Sequence, residues 1–396
     1  MNRLRLAAAL LALAPISAPG SPARDVAADA AFPASASWAR AGAAAGDSTT
    51  APVVATLRPG DDVQAAVNAA ASTGGVVLLR DGDYPLHRTL RLRSGVIIRG
   101  TDRVRTRLVL HLRGTRPAGA AIDDPAAWTS GIELAAVERS GLEDVTVIFD
   151  PTLPAPTDPR RTKAAYGDDP AGRRDLHVVS VAITAARDCW VARSLILNSG
   201  SHPLVVGDCE RVTVDEVVIE GAHNRGPGSG LLNLVRSTGV RLTGLRVRDI
   251  NTFVLHGGAA GAPCRYNVVA DSRFEIDLRV HGAGTRDNLF EHCAIAVPAW
   301  LLRPPLSPGN AEAREAPPGP GNLLYLCTVT RDYGPGERAF STADDPNQVY
   351  EVLQHHARER QPSVRPYAPA PQSGSLRRSL PAAAAAPILR LRPPSA

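Results

Sequence analysis

Lysine is all but missing from these 396 residues: Lys163 stands alone, and the formal charge of +5 therefore rests on arginine. The arginines are interspersed with Asp and Glu, and no dense basic run occurs. A nucleic-acid partner is not expected from that pattern. No Gly-Lys-Ser/Thr follows the glycine-rich stretch Gly221 to Gly230, which rules out a phosphate-binding loop. No Cys-x-x-Cys pair and no Cys/His cluster has zinc spacing, so no metal ligand set is expected. Aromatic residues make up only 4% of the chain, and the apolar content comes instead from Val, Leu, Ile and Ala. Apart from the start of the chain no segment is apolar enough to approach a membrane span, and that one is too short.

That first segment has a recognisable order: Arg3 and Arg5, an apolar stretch from Leu6 to Leu13, then the small residues around Ser17, Ala18 and Ala23. It predicts a secretory signal peptide over 1–23 and a secreted or periplasmic protein. Residues 24–51 are Ala-rich and read as a linker. The five cysteines, Cys189, Cys209, Cys264, Cys293 and Cys327, suit an oxidising compartment without requiring a disulfide framework. Cys189 and Cys209 look like the starts of successive repeats, and Cys293 and Cys327 each lie five residues after a repeated Asn; stacked pairs can bridge or stay buried as thiols.

What is present is a repeat. Residues 190, 211, 239, 267, 288 and 322 each open a short apolar segment, at intervals of 21, 28, 28, 21 and 34 residues. The last three openings are Asn267, Asn288 and Asn322. A period in the twenties carried by β-branched runs predicts a solenoid of strands, all-β, with one turn per repeat. The recurring Asn reads as structural: Asn tolerates left-handed backbone and bonds within tight turns, so a stacked Asn ladder is expected to close each coil. Upstream, Asp61 to Ala71 has N-cap candidates, Val63 and Val67 four apart, and Gly74-Gly75 at its end, a short amphipathic helix placed to cap the coil. Strands are expected near 76–79, 89–92, 96–98, 108–112, 131–135 and 145–149. Pro- and charge-rich residues 150–176 and 298–321, the latter with seven prolines, read as surface insertions. The coil is expected over 52–335, followed by an extension, 336–396, that is disordered after about residue 360.

Gly74-Gly75-Val76-Val77, Asp81-Gly82-Asp83-Tyr84 and Ser94-Gly95-Val96-Ile97-Ile98-Arg99-Gly100 resemble the opening turns of secreted right-handed parallel β-helix proteins of the pectate-lyase-like superfamily. The segments around His202-Pro203 and His281-Gly282 look like a poorly characterised bacterial branch of it. The resemblance implies a single-stranded right-handed parallel β-helix. It does not fix a reaction, since members include lyases, hydrolases, epimerases and non-catalytic proteins. The Asn-Thr-Asp, Asp-Asp and Gly-His-Gly signatures of polygalacturonases are absent. The Trp-Ile-Asp-His motif and calcium-binding Asp cluster of pectate lyases are absent too, so no cofactor, calcium included, has a motif behind it.

Used as a register, the repeat aligns His202–Val206, Leu231–Val235, Thr252–His256 and Asp277–His281. The second and fourth positions, Pro203/Val205, Leu232/Leu234, Phe253/Leu255 and Leu278/Val280, are all apolar and are expected to face inward. Asn233 and Arg279 then share one outward column, His256 and His281 another, with Asp277 at the edge beside Thr252. Neighbouring turns lie about 4.8 Å apart, close enough for the two imidazoles to act together. The loops feeding this face add His202, His223, Asn224 and Arg225 as candidate substrate contacts.

Such a patch suits β-elimination on an acidic, uronate-containing polysaccharide. Arg279 would pair with the carboxylate, and His281 or His256 would take the adjacent proton while the other serves the leaving oxygen. Glycoside hydrolysis needs two carboxyl groups about 5–10 Å apart, for which Asp249, Asp277 and Asp287 are available. Epimerisation on the same fold, and a non-catalytic glycan-binding or surface protein, are the remaining readings. The chain is expected to act as a monomer.

Overall fold

The computed structural model describes residues 34–43, 50–115, 128–153, 176–225, 228–257, 262–298, 318–331 and 349–354. The signal-peptide stretch, most of the 150–176 and 298–321 insertions and the tail beyond 354 lie outside the described residues.

Every strand pairing is parallel, and the strands stack into three sheets that wrap one core. The first sheet runs from Val53–Leu57 through Gly75–Leu79, Val96–Gly100, Gly141–Glu143, Trp190–Ala192, Thr213–Asp215, Arg241–Thr243, Val268–Ala270 and Leu289–Glu291 to the start of Leu323–Arg331. The second holds Gly82–Leu86, Thr106–Leu110, Thr146–Phe149, Leu195–Ser199, Val218–Ala222, and the strands that continue it. The third holds Leu90–Arg91, Thr129–Ala135, Val178–Thr184, Leu204–Gly207, Leu231–Val235, and residues 252–256 and 277–281 of two longer strands. This is the single-stranded right-handed parallel β-helix anticipated above, with the hand that parallel crossovers take. A further strand, Val349–Gln354, pairs in parallel with Leu323–Arg331, so the pairing continues past residue 335.

The corners follow one rule. Between the third and first sheets, a residue with positive φ recurs in each turn: Arg139, Asp188, Arg211, Gly239, Tyr266, Asp287 and Gly321. Between the first and second sheets the series is Asp144, Arg193, Glu216, Gly244, Asp271 and His292. Charged residues tolerate this strained backbone partly because they pair across turns. Arg211 donates to Asp188 at 2.7 and 2.8 Å, and Arg193 donates to Asp144 at 2.9 Å. Being partly exposed, such pairs contribute modestly each.

The recurring Asn residues form the stacked ladder expected of them, but they do not themselves take the left-handed backbone. None has positive φ; the left-handed position is the residue before each one, Tyr266, Asp287 or Gly321. The Asn side chains are buried and point inward, where they bond to one another. Asn267 Nδ2 donates to Asn288 Oδ1 at 2.9 Å, and Asn288 Nδ2 donates to Asn322 Oδ1 at 2.8 Å. The spare amide capacity satisfies corner carbonyls of Ser237, Cys264 and Thr285.

Helix α1 (Ser35–Ala39) and helix α2 (Val63–Ala70) close the description. In α2 the Asp62 side chain accepts from Ala65 N at 3.0 Å, and Val63, Val67 and Ala70 are buried against the first turn. Beyond that turn lies a strand the sequence did not signal, Val53–Leu57, whose Val53 and Val54 are exposed. Helix α1 belongs to a segment read as linker, yet residues 34–43 lie against the coil. Trp38 Nε1 donates to Asp287 O at 2.7 Å, Gly42 N to Gly239 O at 2.8 Å, and Ala43 N to Thr213 Oγ1 at 2.8 Å. At Gly42 a Cβ would fall 2.8 Å from Thr213 Oγ1, so the strap fits only without a side chain there. Ala43 and Ala51 pack on the cluster around Trp190, so the strap lies along the outer face of the first sheet.

Candidate functional site

The three faces of the coil differ in what they offer a ligand. The first sheet carries the strap. The second is laced with ion pairs such as Arg107–Asp83 and Arg248–Glu220. The third sheet borders the corner that follows Leu86, Leu110, Phe149, Ser199 and Ala222, the last residues of five strands of the second sheet. Seven of the ten histidines also lie on this corner or sheet: His87, His111, His177, His202, His223, His256 and His281.

In the later turns the strand register places Asn233, Val254 and Arg279 in one column. Val235, His256 and His281 form the next, and Leu231, Thr252 and Asp277 the third. Alternation then sends Leu232, Phe253 and Leu278, with Leu234, Leu255 and Val280, into the core, as expected. The earlier turn differs by one residue. Val205 pairs with Asn233, so Leu204 and Val206 take the inward places assigned to Pro203 and Val205. Val205 instead joins an outer cluster with Trp128, Val179 and Ala182.

The His256 and His281 rings sit 4.4 Å apart between centroids, tilted by 34°. Gly282, at φ +86°, makes room for them: a Cβ there would stand 2.9 Å from His256 Cδ2. His281 is only 5% exposed, whereas His256 and Arg279 are half-buried. Burial first, then the neighbouring His256 and Arg279 charges, push the His281 pKa down to about 2. His281 is therefore a neutral ring at any ordinary pH and a weak base, and burial disfavours it in the proton-accepting role that was open to either His281 or His256. His256 is the more accessible of the two rings. Asp277 is fully buried, and Asn233 and Thr252 nearly so.

The remaining candidates gather elsewhere. His202 accepts from Leu231 N through Nδ1 at 3.0 Å, which fixes the proton of its neutral form on Nε2. Its ring lies 4.4 Å from that of Trp128, which is 5.7 Å from His177. Asn224 Nδ2 and His177 Nε2 are 2.6 Å apart. His223 lies 5.8 Å from the Phe149 ring, and Arg225 donates to Asp249 O at 3.4 Å. His202 and Asn224 thus belong to a buried cluster in earlier turns; the Leu231 contact leaves His202 about two strand spacings, roughly 10 Å, from Asp277.

Trp128 and His177 were missed from sequence, although one signal was there. His177 and His202 are 25 residues apart, as are His256 and His281, one turn in each case. Of the carboxylates weighed for hydrolysis, only Asp277 is on this face. Asp249 is exposed on the corner, and Asp287 lies by the strap with its carbonyl bound to Trp38.

No protein-family model matches this chain, and no curated protein matches it. Among solved structures it is similar to PfbA, a surface adhesin of Streptococcus pneumoniae, at 11% identity over 77% of this chain and 75% of that one, TM-score 0.49. It is also similar to an exopolygalacturonase from Thermotoga maritima, at 11% identity over 71% and 82%, TM-score 0.46. A polygalacturonase from Erwinia carotovora ssp. carotovora gives 12% identity over 76% and 84%, TM-score 0.46. At such identities and scores the likeness says nothing of what this chain binds, and the fold rests on its own strand pairing.

Proposed function

We propose that this chain is an exported β-helix enzyme, acting as a monomer, that cleaves an acidic, uronate-containing polysaccharide by β-elimination along the outer face of the third sheet. The observation that supports this reading is the juxtaposition of His256, His281 and Arg279 on neighbouring columns. Arg279 binds the uronate carboxylate and stabilises negative charge as it spreads onto that group. His256 removes the proton from the carbon bearing the carboxylate, the bond to the leaving glycosidic oxygen breaks, and a carbon–carbon double bond forms. The protonated His256 then returns its proton to the departing oxygen. Neutral His281 holds His256 beside it and offers an N–H donor without competing for the proton, as an imidazole of low pKa does. Export is supported by the charged and then apolar start of the chain.

The test uses purified protein on a panel of polyuronates and neutral glycans, with ultraviolet absorbance and reducing ends followed together. A lyase raises both signals, a hydrolase raises reducing ends alone, and an epimerase or binding protein raises neither. Arg279→Ala and His256→Ala should abolish both signals; full activity in either variant would refute the assignment.

A further inference from the structure

All five cysteines are buried thiols. Which of them can pair in an oxidising compartment is decided by register, and the register singles out two. Glu291 pairs with Tyr325 and Ala294 with Thr328. Counting from either side sets Cys293 opposite Cys327, at the same corner of successive turns. Parallel neighbours lie about 4.8 Å apart, inside the roughly 4.4–6.8 Å Cα window of a disulfide. Both side chains point into the core. Cys327 Sγ contacts Phe290 O in the preceding turn at 3.4 Å, and Cys293 Sγ contacts Glu291 O at 3.5 Å, so the two sulfurs descend on adjacent carbonyls. The neighbouring Cys327 thiol adds to burial in pushing the Cys293 thiol up, as expected of two sulfurs placed side by side.

No other cysteine has a cysteine in register on the next turn. Cys189 shares its column with Ser140 and Val212. Cys209 stacks between Ala186 and Ser237, and Ser237 separates it from Cys264. At these corners cysteine replaces serine: Ser194, Ser237 and Ser272 each donate to the carbonyl two residues back, as the Cys209 and Cys293 thiols do. That role accounts for single cysteines, whereas two stacked ones carry a further possibility.

We propose that Cys293 and Cys327 are joined by a disulfide in the exported protein while Cys189, Cys209 and Cys264 remain thiols. The oxidant is a disulfide, either small-molecule or a thiol-oxidising protein. One thiolate attacks it to give a mixed disulfide and release one thiol. The second thiolate then displaces the other half, so two protein thiols become one S–S bond and the oxidant leaves as two thiols. Because both groups are buried in the folded coil, the exchange takes place before the last turns close. The bond ties the turn at 323–331 to the one before it.

The full chain is exported into an oxidising compartment, denatured, alkylated without reductant and weighed, and its peptides are mapped. Three of the five thiols should alkylate, with one cross-link containing Cys293 and Cys327. Cys293→Ser and Cys327→Ser should each raise the count to four, and Cys189→Ser should lower it to two. Chain made in a reducing cytoplasm should alkylate at all five. Five reactive thiols in the exported wild type, or a bridge through Cys189, Cys209 or Cys264, would overturn the proposal. The wild-type map decides even if a serine variant fails to accumulate.

Discussion

Replacing His281 with Gln should flatten the acid side of the stability profile. In the folded protein its pKa is pushed down to about 2 by burial and by its charged neighbours, whereas an unfolded chain offers a histidine near 6.5. Between those values the unfolded state holds a proton that the native state refuses. Stability from this group is therefore complete above pH 6.5 and is lost as pH falls, by about 1.4 kcal/mol per unit. At pH 4.5 the loss is about 3 kcal/mol, a large share of a typical domain's margin. Urea unfolding followed by circular dichroism at half-unit steps from pH 7.5 to 4.5, on wild type and His281→Gln, isolates the contribution by difference. The range stops above the carboxylates that the native state holds ionised, such as Asp102 and Asp150, whose pKa values are lowered. A wild-type profile parallel to that of the variant would refute the buried neutral imidazole, and with it the division of labour between His281 and His256.

Three further outcomes are expected. Asn288→Ala leaves Asn267 N and Cys264 O without their side-chain partner, while Asn267 Nδ2 and Asn322 Oδ1 keep Ser237 O and Asn288 N; at about 1 kcal/mol or more for each orphaned buried group, urea unfolding should show a loss near 2 kcal/mol, and a loss below about 0.5 kcal/mol would mean the ladder is not a structural element. Gly282→Ala forces a side chain into positive φ against His256, which should cost about 1–2 kcal/mol and shift the His256 ring signals in NMR, while unchanged signals would separate Gly282 from the site. Trp38→Ala empties a position only 2% exposed; the strap should then be clipped by limited proteolysis well before the coil, and equal protection in the variant would show that Trp38 does not hold it.

The coil and its later columns were legible because Asp277–His281 alternates polar and apolar residues strictly, Thr252–His256 departs from that only at Val254, and Asn233 marks the same parity in Leu231–Val235. His202–Val206 offers no such alternation. Pro203, Leu204, Val205 and Val206 are all apolar, so either parity is consistent with a buried strand, and Trp128 makes the outer face apolar as well. Trp128 itself lies before the repeat that begins at residue 190, so the spacing assigned it no register. The Asn repeat was visible, but left-handed tolerance and inward amide bonding both favour Asn, and only the position of the φ values separates them. The strap was hidden for a related reason: an Ala-rich sequence looks like a linker, while its fit to the first sheet depends on small residues at Gly42 and Ala43. Burial of His281 depends on what surrounds it in space and had no counterpart in the spacing of its neighbours.

The strap also imposes an order in time. Trp38 and the carbonyl that receives its indole N–H are 249 residues apart, and a ribosome adding about 5–20 residues per second needs roughly 12–50 s to make the second after the first. For most of that interval the early segment has no complete berth, since Thr213, Gly239 and Asp287 are made in turn and Asp287 comes last. The coil therefore grows without the strap, and the beginning of the chain is among the last pieces to settle.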